Sequence, residues 1–152
     1  MIRLRTAAVA ALAFSLTGLL APAPALAAGR PPHTHASTAA RTPASDKVNA
    51  FFSDYWSAVE DGDPVRAYDV RRQYLTDYLN GKLDEWAAEH GADPVFRSQQ
   101  VPTDWAVAQG DSGAGHTTVV LTEYFPDEST LQVRYQLRLA DLAIDDIEDS
   151  PS

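Results

Sequence analysis

Two side chains in this 152-residue chain have the type and the neighbours to move a proton. They are Glu123, inside the β-branched and aromatic run 116–125, and His116, which opens that run. A carboxyl held among apolar side chains has a raised pKa and can serve as a general base. Side chains alternate along a strand with period two, so the length of the connection between Phe125 and Thr130 decides which face turns inward. An even loop sets Tyr124 opposite Leu131 and Thr122 opposite Val133, so that His116, Thr118, Thr122 and Tyr124 line a polar cavity beside the leucines. An odd loop buries Val119, Leu121 and Phe125 instead, and takes Glu123 in with them. The plainer expectation for Glu123 is an exposed cross-strand partner of Arg134 or Gln132.

Other patterns carry less chemistry. Gly110-Asp-Ser-Gly113 matches the string around a serine-protease nucleophile. That chemistry needs a histidine base, an orienting carboxylate and an oxyanion hole, which a domain of this size cannot assemble in the protease manner. Gly, Asp and Ser are also what a loop between strands requires, and a loop is the reading adopted for Gly110–Gly115. Asp141, Asp145, Asp146, Glu148 and Asp149 lack the alternating ligands and turn glycine of a calcium loop, and read as a solvated acidic edge. His33 and His35 lie in a spacer-like stretch and are not assigned a metal. Tyr55, Trp56, Tyr78, Trp86 and Trp105, with Thr122 and Tyr124, are the candidates to line a pocket for a small apolar ligand. The same aromatics at helical spacing make ordinary core. No cofactor or metal motif is read.

These residues need elements to position them. Val48, Phe51, Phe52, Tyr55, Trp56 and Val59 form one apolar helical stripe, with Ser45 or Asp46 expected as its cap and Gly62 as its end. Asp63-Pro64 restarts a short helix to about Arg72. Leu75, Tyr78, Leu79, Leu83, Trp86, Ala87 and His90 make a third stripe, opened by Thr76 and closed at Gly91. The period then changes from 3.6 to 2. Strands are predicted at Trp105–Gln109, His116–Phe125, Leu131–Leu139 and around Leu142, Ile144 and Ile147. Helices first and strands after predict an α+β fold, three helices packed on one face of a curved antiparallel sheet of about four strands.

Residues 1–28 read as a cleavable secretory signal, with Arg3 and Arg5, an apolar run from Thr6 to Leu20, and Ala25-Leu26-Ala27 for the peptidase. Residues 29–45 read as a disordered spacer rich in Pro, Ser, Thr and Ala, 46–149 as a single domain, and 150–152 as a tail. Cleavage would leave 10 basic against 21 acidic residues, a formal charge of −11 compared with −9 for the whole chain. Such acidity disfavours nucleic acid and anionic membranes as partners. With no Cys in the chain, neither a disulfide nor a cysteine-linked lipid is expected.

Ala92-Asp-Pro-Val-Phe-Arg-Ser-Gln-Gln100, ahead of Trp105, resembles the Asp-Pro-Phe…Ala-Gln-Asp signature of a bacterial exported domain of unknown function, with Gln100 in place of the final Asp. The helix and strand order resembles the cone-shaped, nuclear-transport-factor-like domains of the cystatin-like α+β group. That resemblance implies a pocket between sheet and helices and no particular reaction. The expected function is a secreted binding or interaction domain without catalytic activity, for a protein or small apolar ligand, with a homodimer possible through an edge strand. The alternative is a small isomerase- or dehydratase-like enzyme using Glu123 or His116 as base.

Overall fold

A computed structural model describes residues 42–149. The expected signal, most of the expected spacer with His33 and His35, and the tail lie outside those residues. Three helices, α1 (Pro43–Glu60), α2 (Pro64–Tyr74) and α3 (Asp77–His90), precede four strands, β1 (Asp104–Gly113), β2 (His116–Tyr124), β3 (Thr130–Arg138) and β4 (Ile144–Asp149). The strands form one antiparallel sheet in the order β1-β2-β3-β4, an α+β arrangement.

Helix α1 starts earlier than its apolar stripe suggests. Thr42 is the N-cap, Pro43 takes the first turn, and Ser45 completes a capping box: Ser45 N–H donates to Thr42 Oγ1 at 3.1 Å and Thr42 N–H to Ser45 Oγ at 2.8 Å. Residues 43–45 of the expected spacer are therefore helix, and neither Ser45 nor Asp46 is the cap. Thr42 Oγ1 also hydrogen-bonds the Gln109 side chain, tying the helix start to β1. Thr42→Ala should cost about 0.5–2 kcal/mol of stability, the range for lost caps, while Thr42→Ser retains most of it; urea titration of both variants checks this.

The strip Gly110–Gly115 is not a loop. β1 continues through a bulge between Gln109 and Ser112 as far as Gly113, and only Ala114 and Gly115 make the turn. Both have positive φ, 50° and 84°, as a tight two-residue hairpin requires. Gly110 packs so closely on the neighbouring strand that a Cβ there would lie 3.1 Å from the Thr118 carbonyl oxygen. Close packing of strands thus accounts for Gly110 of the protease-like string.

Helix α1 lies across β1 and β2, and α3 lies on β4. Their shared core includes Phe51, Phe52, Leu79, Leu83, Leu121, Val133, Tyr135 and Leu137, each at most 1 % exposed. Phe52 sits between Phe96, at 5.5 Å between ring centroids, and Trp105, at 5.0 Å. The junction of α2 and α3 is fastened to the last strand, where Leu75 bridges Ile144 and Thr76 N–H donates to the Ile144 carbonyl at 3.0 Å. Arg71, buried on α2, joins the two helices by donating to Asn80 Oδ1 (3.1 Å), the Asn80 carbonyl (2.9 Å) and Asp84 Oδ1 (2.8 Å).

Candidate functional site

The connection from β2 to β3 is odd, five residues from Phe125 to Ser129. Its parity sets Glu123 opposite Leu131 and Leu121 opposite Val133. Thr117, Val119, Leu121 and Glu123 therefore face the helices. Glu123 is fully buried, which overturns the expectation of an exposed partner for Arg134 or Gln132. The polar cavity expected from an even loop does not form, because His116, Thr118, Thr122 and Tyr124 belong to the opposite face.

Glu123 lies between β1 and β3. Trp105 is its β1 neighbour and Leu131 its β3 neighbour. Burial, then the negative charge of Asp93, push its carboxyl up to about 9, partly opposed by the Arg97 guanidinium. Neither carboxyl oxygen has a hydrogen-bond partner among the described residues, and the same holds for the buried Tyr135 hydroxyl. Burial and the nearby Glu123 also hold the Tyr135 phenol well above its ordinary range. The uncharged acid is the form this setting tolerates.

Asp93 organises the segment over this centre. Its Oδ1 accepts the backbone N–H groups of Val95 (2.8 Å) and Phe96 (2.9 Å), and its own N–H donates to the Ser98 carbonyl at 3.0 Å. The resulting strap drives Val95 and Phe96 into the core, both at most 1 % exposed. Arg97 then turns the chain outward with a φ of 51°. Its guanidinium donates to the Ile147 carbonyl (2.7 Å), pairs with Asp149 (3.5 Å) and lies over the Trp86 ring. The free oxygen of Asp93 accepts the Tyr55 hydroxyl at 2.9 Å, and burial, then the Asp93 charge, raise that phenol's pKa.

Asp93 is also where two surface depressions meet. One, of about 560 Å³, runs along the strap from Gly91 to Val101 past Ala87. The other, of about 360 Å³, lies against α2 and is lined by Tyr55, Gly62, Asp63, Pro64, Ala67, Tyr68 and Arg71. Val59 and Asp93 border both, and the cleft at Asp93 is this pair of neighbouring depressions.

The aromatic candidates do not converge on one pocket. Tyr55 borders the cleft, and Trp105 is buried with its indole N–H on Asn49 Oδ1 at 3.1 Å. Trp56 donates to the Pro102 carbonyl at 2.8 Å, and Trp86 stacks on His90 and Arg97. Tyr78 and Tyr124 are exposed, at 75 % and 41 %. Thr122 is half-buried on the outer face. His116 faces two acceptors, Asp145 Oδ2 at 2.8 Å from Nε2 and the Ala114 carbonyl at 3.3 Å from Nδ1, and a neutral ring donates to one of them. Ser112 Oγ donates to Thr117 Oγ1 at 2.7 Å, with no histidine on it. Of the acidic edge, Asp141 holds Arg138, Asp145 faces His116, Asp146 holds Lys82 and Asp149 pairs with Arg97. Among the described residues no three metal-binding side chains converge.

Asp93, Arg97, Tyr68 and Tyr135 are absent from the candidates drawn from sequence. The signal for the first two was present in Ala92–Gln100, but there Asp93-Pro94 reads as punctuation between helix and strand. No family model matches the chain, and no curated protein matches it. Its fold is similar to the crystal structure of a protein of unknown function from Bacteroides thetaiotaomicron VPI-5482, with a TM-score of 0.57 and 18 % identity over 69 % of this chain and 88 % of that one.

Proposed function

We propose that the chain is an exported acidic binding module of the nuclear-transport-factor-like kind, acting through the cleft at Asp93 and without catalytic activity. The observation that carries this reading is the contrast between a sealed interior and an open cleft. Glu123 is fully buried beneath packed side chains, while the cleft of Tyr55, Val59, Tyr68 and Asp93 is accessible. A general base must be ionised and within reach of a substrate proton. With its pKa pushed up to about 9, Glu123 is almost wholly protonated at neutral pH, and no surface touches it. His116 sits on the opposite face of the sheet from the helices and does not line the cleft. The composition of residues 1–28 supports export, and the helix-then-strand order supports the family resemblance.

The test is capture from the medium of the producing cells by the immobilised chain, with bound molecules identified by mass spectrometry. Glu123→Gln should retain what the unmodified chain retains. Gln99→Trp, a large side chain on an exposed rim of the cleft, should lose it. Loss of capture with Glu123→Gln, or turnover of a captured molecule that disappears in that variant, would establish the enzyme reading instead.

A further inference from the structure

The two outer strands of the sheet are handled differently by the rest of the fold. The outer edge of β4 is covered from within the domain, where Thr76 N–H donates to the Ile144 carbonyl at 3.0 Å and the Arg97 guanidinium to the Ile147 carbonyl at 2.7 Å. On the other side β1 is the outer strand, and among the described strands it pairs with β2 alone. A sheet edge is a template for a further strand, which natural proteins cover or block.

The chain itself arrives at this edge. Thr42 hydrogen-bonds the Gln109 side chain of β1 and has an extended backbone, with φ −117° and ψ 160°. From there α1 doubles back along β1: Asn49 Oδ1 accepts the Trp105 indole N–H at 3.1 Å, and Trp56 donates to the Pro102 carbonyl at 2.8 Å. The residues just before Thr42 therefore meet the sheet beside Gln109. Past Gln109 the ladder is broken by the bulge, so the regular part of the edge runs from Gln109 back to the start of β1. Proline cannot donate to a ladder. His33 to Arg41 contains neither Pro nor Gly, and is bounded by Pro31-Pro32 and Pro43. Six extended residues reach about 20 Å, enough to follow β1 from Gln109 to its start. Charge agrees as well, because the chain ahead of Thr42 carries Arg30 and Arg41 and no acid, while all 21 acids lie after it.

We propose that residues 36–41 lie along β1 as a fifth strand, parallel to it, so that the chain's own N-terminal segment occupies this edge. Thr42 is then the corner between strand and helix as well as the cap of α1. An edge filled in this way has no room for β1 of a second copy.

The chain has no Cys, so introduced pairs report without background. Ala106→Cys is combined in turn with a cysteine substituted at each position from Ala36 to Ala40, and disulfide formation in the full chain is measured. Side chains alternate along a strand, so cross-linking within one molecule should be about tenfold stronger at alternate positions than at those between. Amide exchange over residues 36–41 should be about a hundredfold slower than in an unstructured peptide of that sequence. Of Thr38→Pro and Ala39→Pro, one removes a ladder donor and the other an outward N–H, so one should lose most of this protection and the other keep most of it. Unchanged exchange in β3 shows that both variants remain folded. Uniform cross-linking at all five positions, exchange of 36–41 at the unstructured rate, or equal effects of the two prolines overturns the proposal. Cross-links that form only between molecules assign the edge to a second copy and overturn it equally.

Discussion

Glu123→Gln should make the domain more stable at alkaline pH and leave it nearly unchanged in mild acid. In the folded state the carboxyl titrates near 9, because burial and Asp93 penalise its charge; unfolded, it returns to about 4.5. Between those values the unfolded chain binds fewer protons at this position than the folded one, so this group's contribution to stability falls as pH rises. It is fully present below about pH 4.5, declines by up to ~1.4 kcal/mol per pH unit, and is gone above about pH 9. The amide has the size of the neutral acid and does not titrate. The difference between variant and parent should therefore be small at pH 5 and grow to about 4 kcal/mol by pH 8. For a domain of this length that is a melting-temperature advantage on the order of 15 °C. Urea unfolding of both proteins across this pH range gives the comparison, and parallel curves would mean that Glu123 is ionised in the folded state. Comparing variant with parent also cancels the titration of the many other acids.

Phe52→Ala should be among the most damaging single changes available. The ring has no exposure and contacts Phe96 of the strap and Trp105 of β1, so it joins helix, strap and sheet at one point. Deleting a buried phenylalanine costs about 3–5 kcal/mol, the transfer energy of the ring plus that of the space left behind. Total stabilities of such domains are only about 5–15 kcal/mol, so much of the margin disappears. Phe52→Leu should cost distinctly less. Because the strap rests on this ring, hydrogen exchange at Val95 and Phe96 should accelerate in the Ala variant more than exchange in β3. Uniform acceleration would show that the strap has no separate dependence on Phe52.

The helices were legible because their information is local. Phe51, Phe52 and Tyr55 repeat at the period that puts them on one face, and Asp63-Pro64, Thr76 and Gly91 mark boundaries by cap chemistry. Thr42 escaped notice because its cap lies in a stretch whose composition resembles a spacer. The bulge in β1 was hidden for a similar reason, since a glycine such as Gly110 suits a strand packed closely on its neighbour as well as it suits a loop. Glu123 shows a different limit. Its two possible environments were both readable, but the choice turned on whether β3 begins at Thr130 or Leu131, a boundary that side-chain pattern alone leaves open. The cleft was beyond reach for a third reason: it joins the end of α1, the start of α2 and the strap, and no periodicity connects those segments.

The hydrogen bond from Thr76 to Ile144 has a consequence for timing. A chain made from its N-terminus completes all three helices before the strand that fastens the joint between the second and third exists. Until Ile144 arrives, α3 has no sheet to lie on, and its buried Leu79 and Leu83 have little to cover them. Assembly must then wait for pairings between residues far apart in sequence, which slows the final step and prolongs the exposure of apolar surface. A chain built this way commits to its folded form late, only after the last strand of the sheet has been delivered.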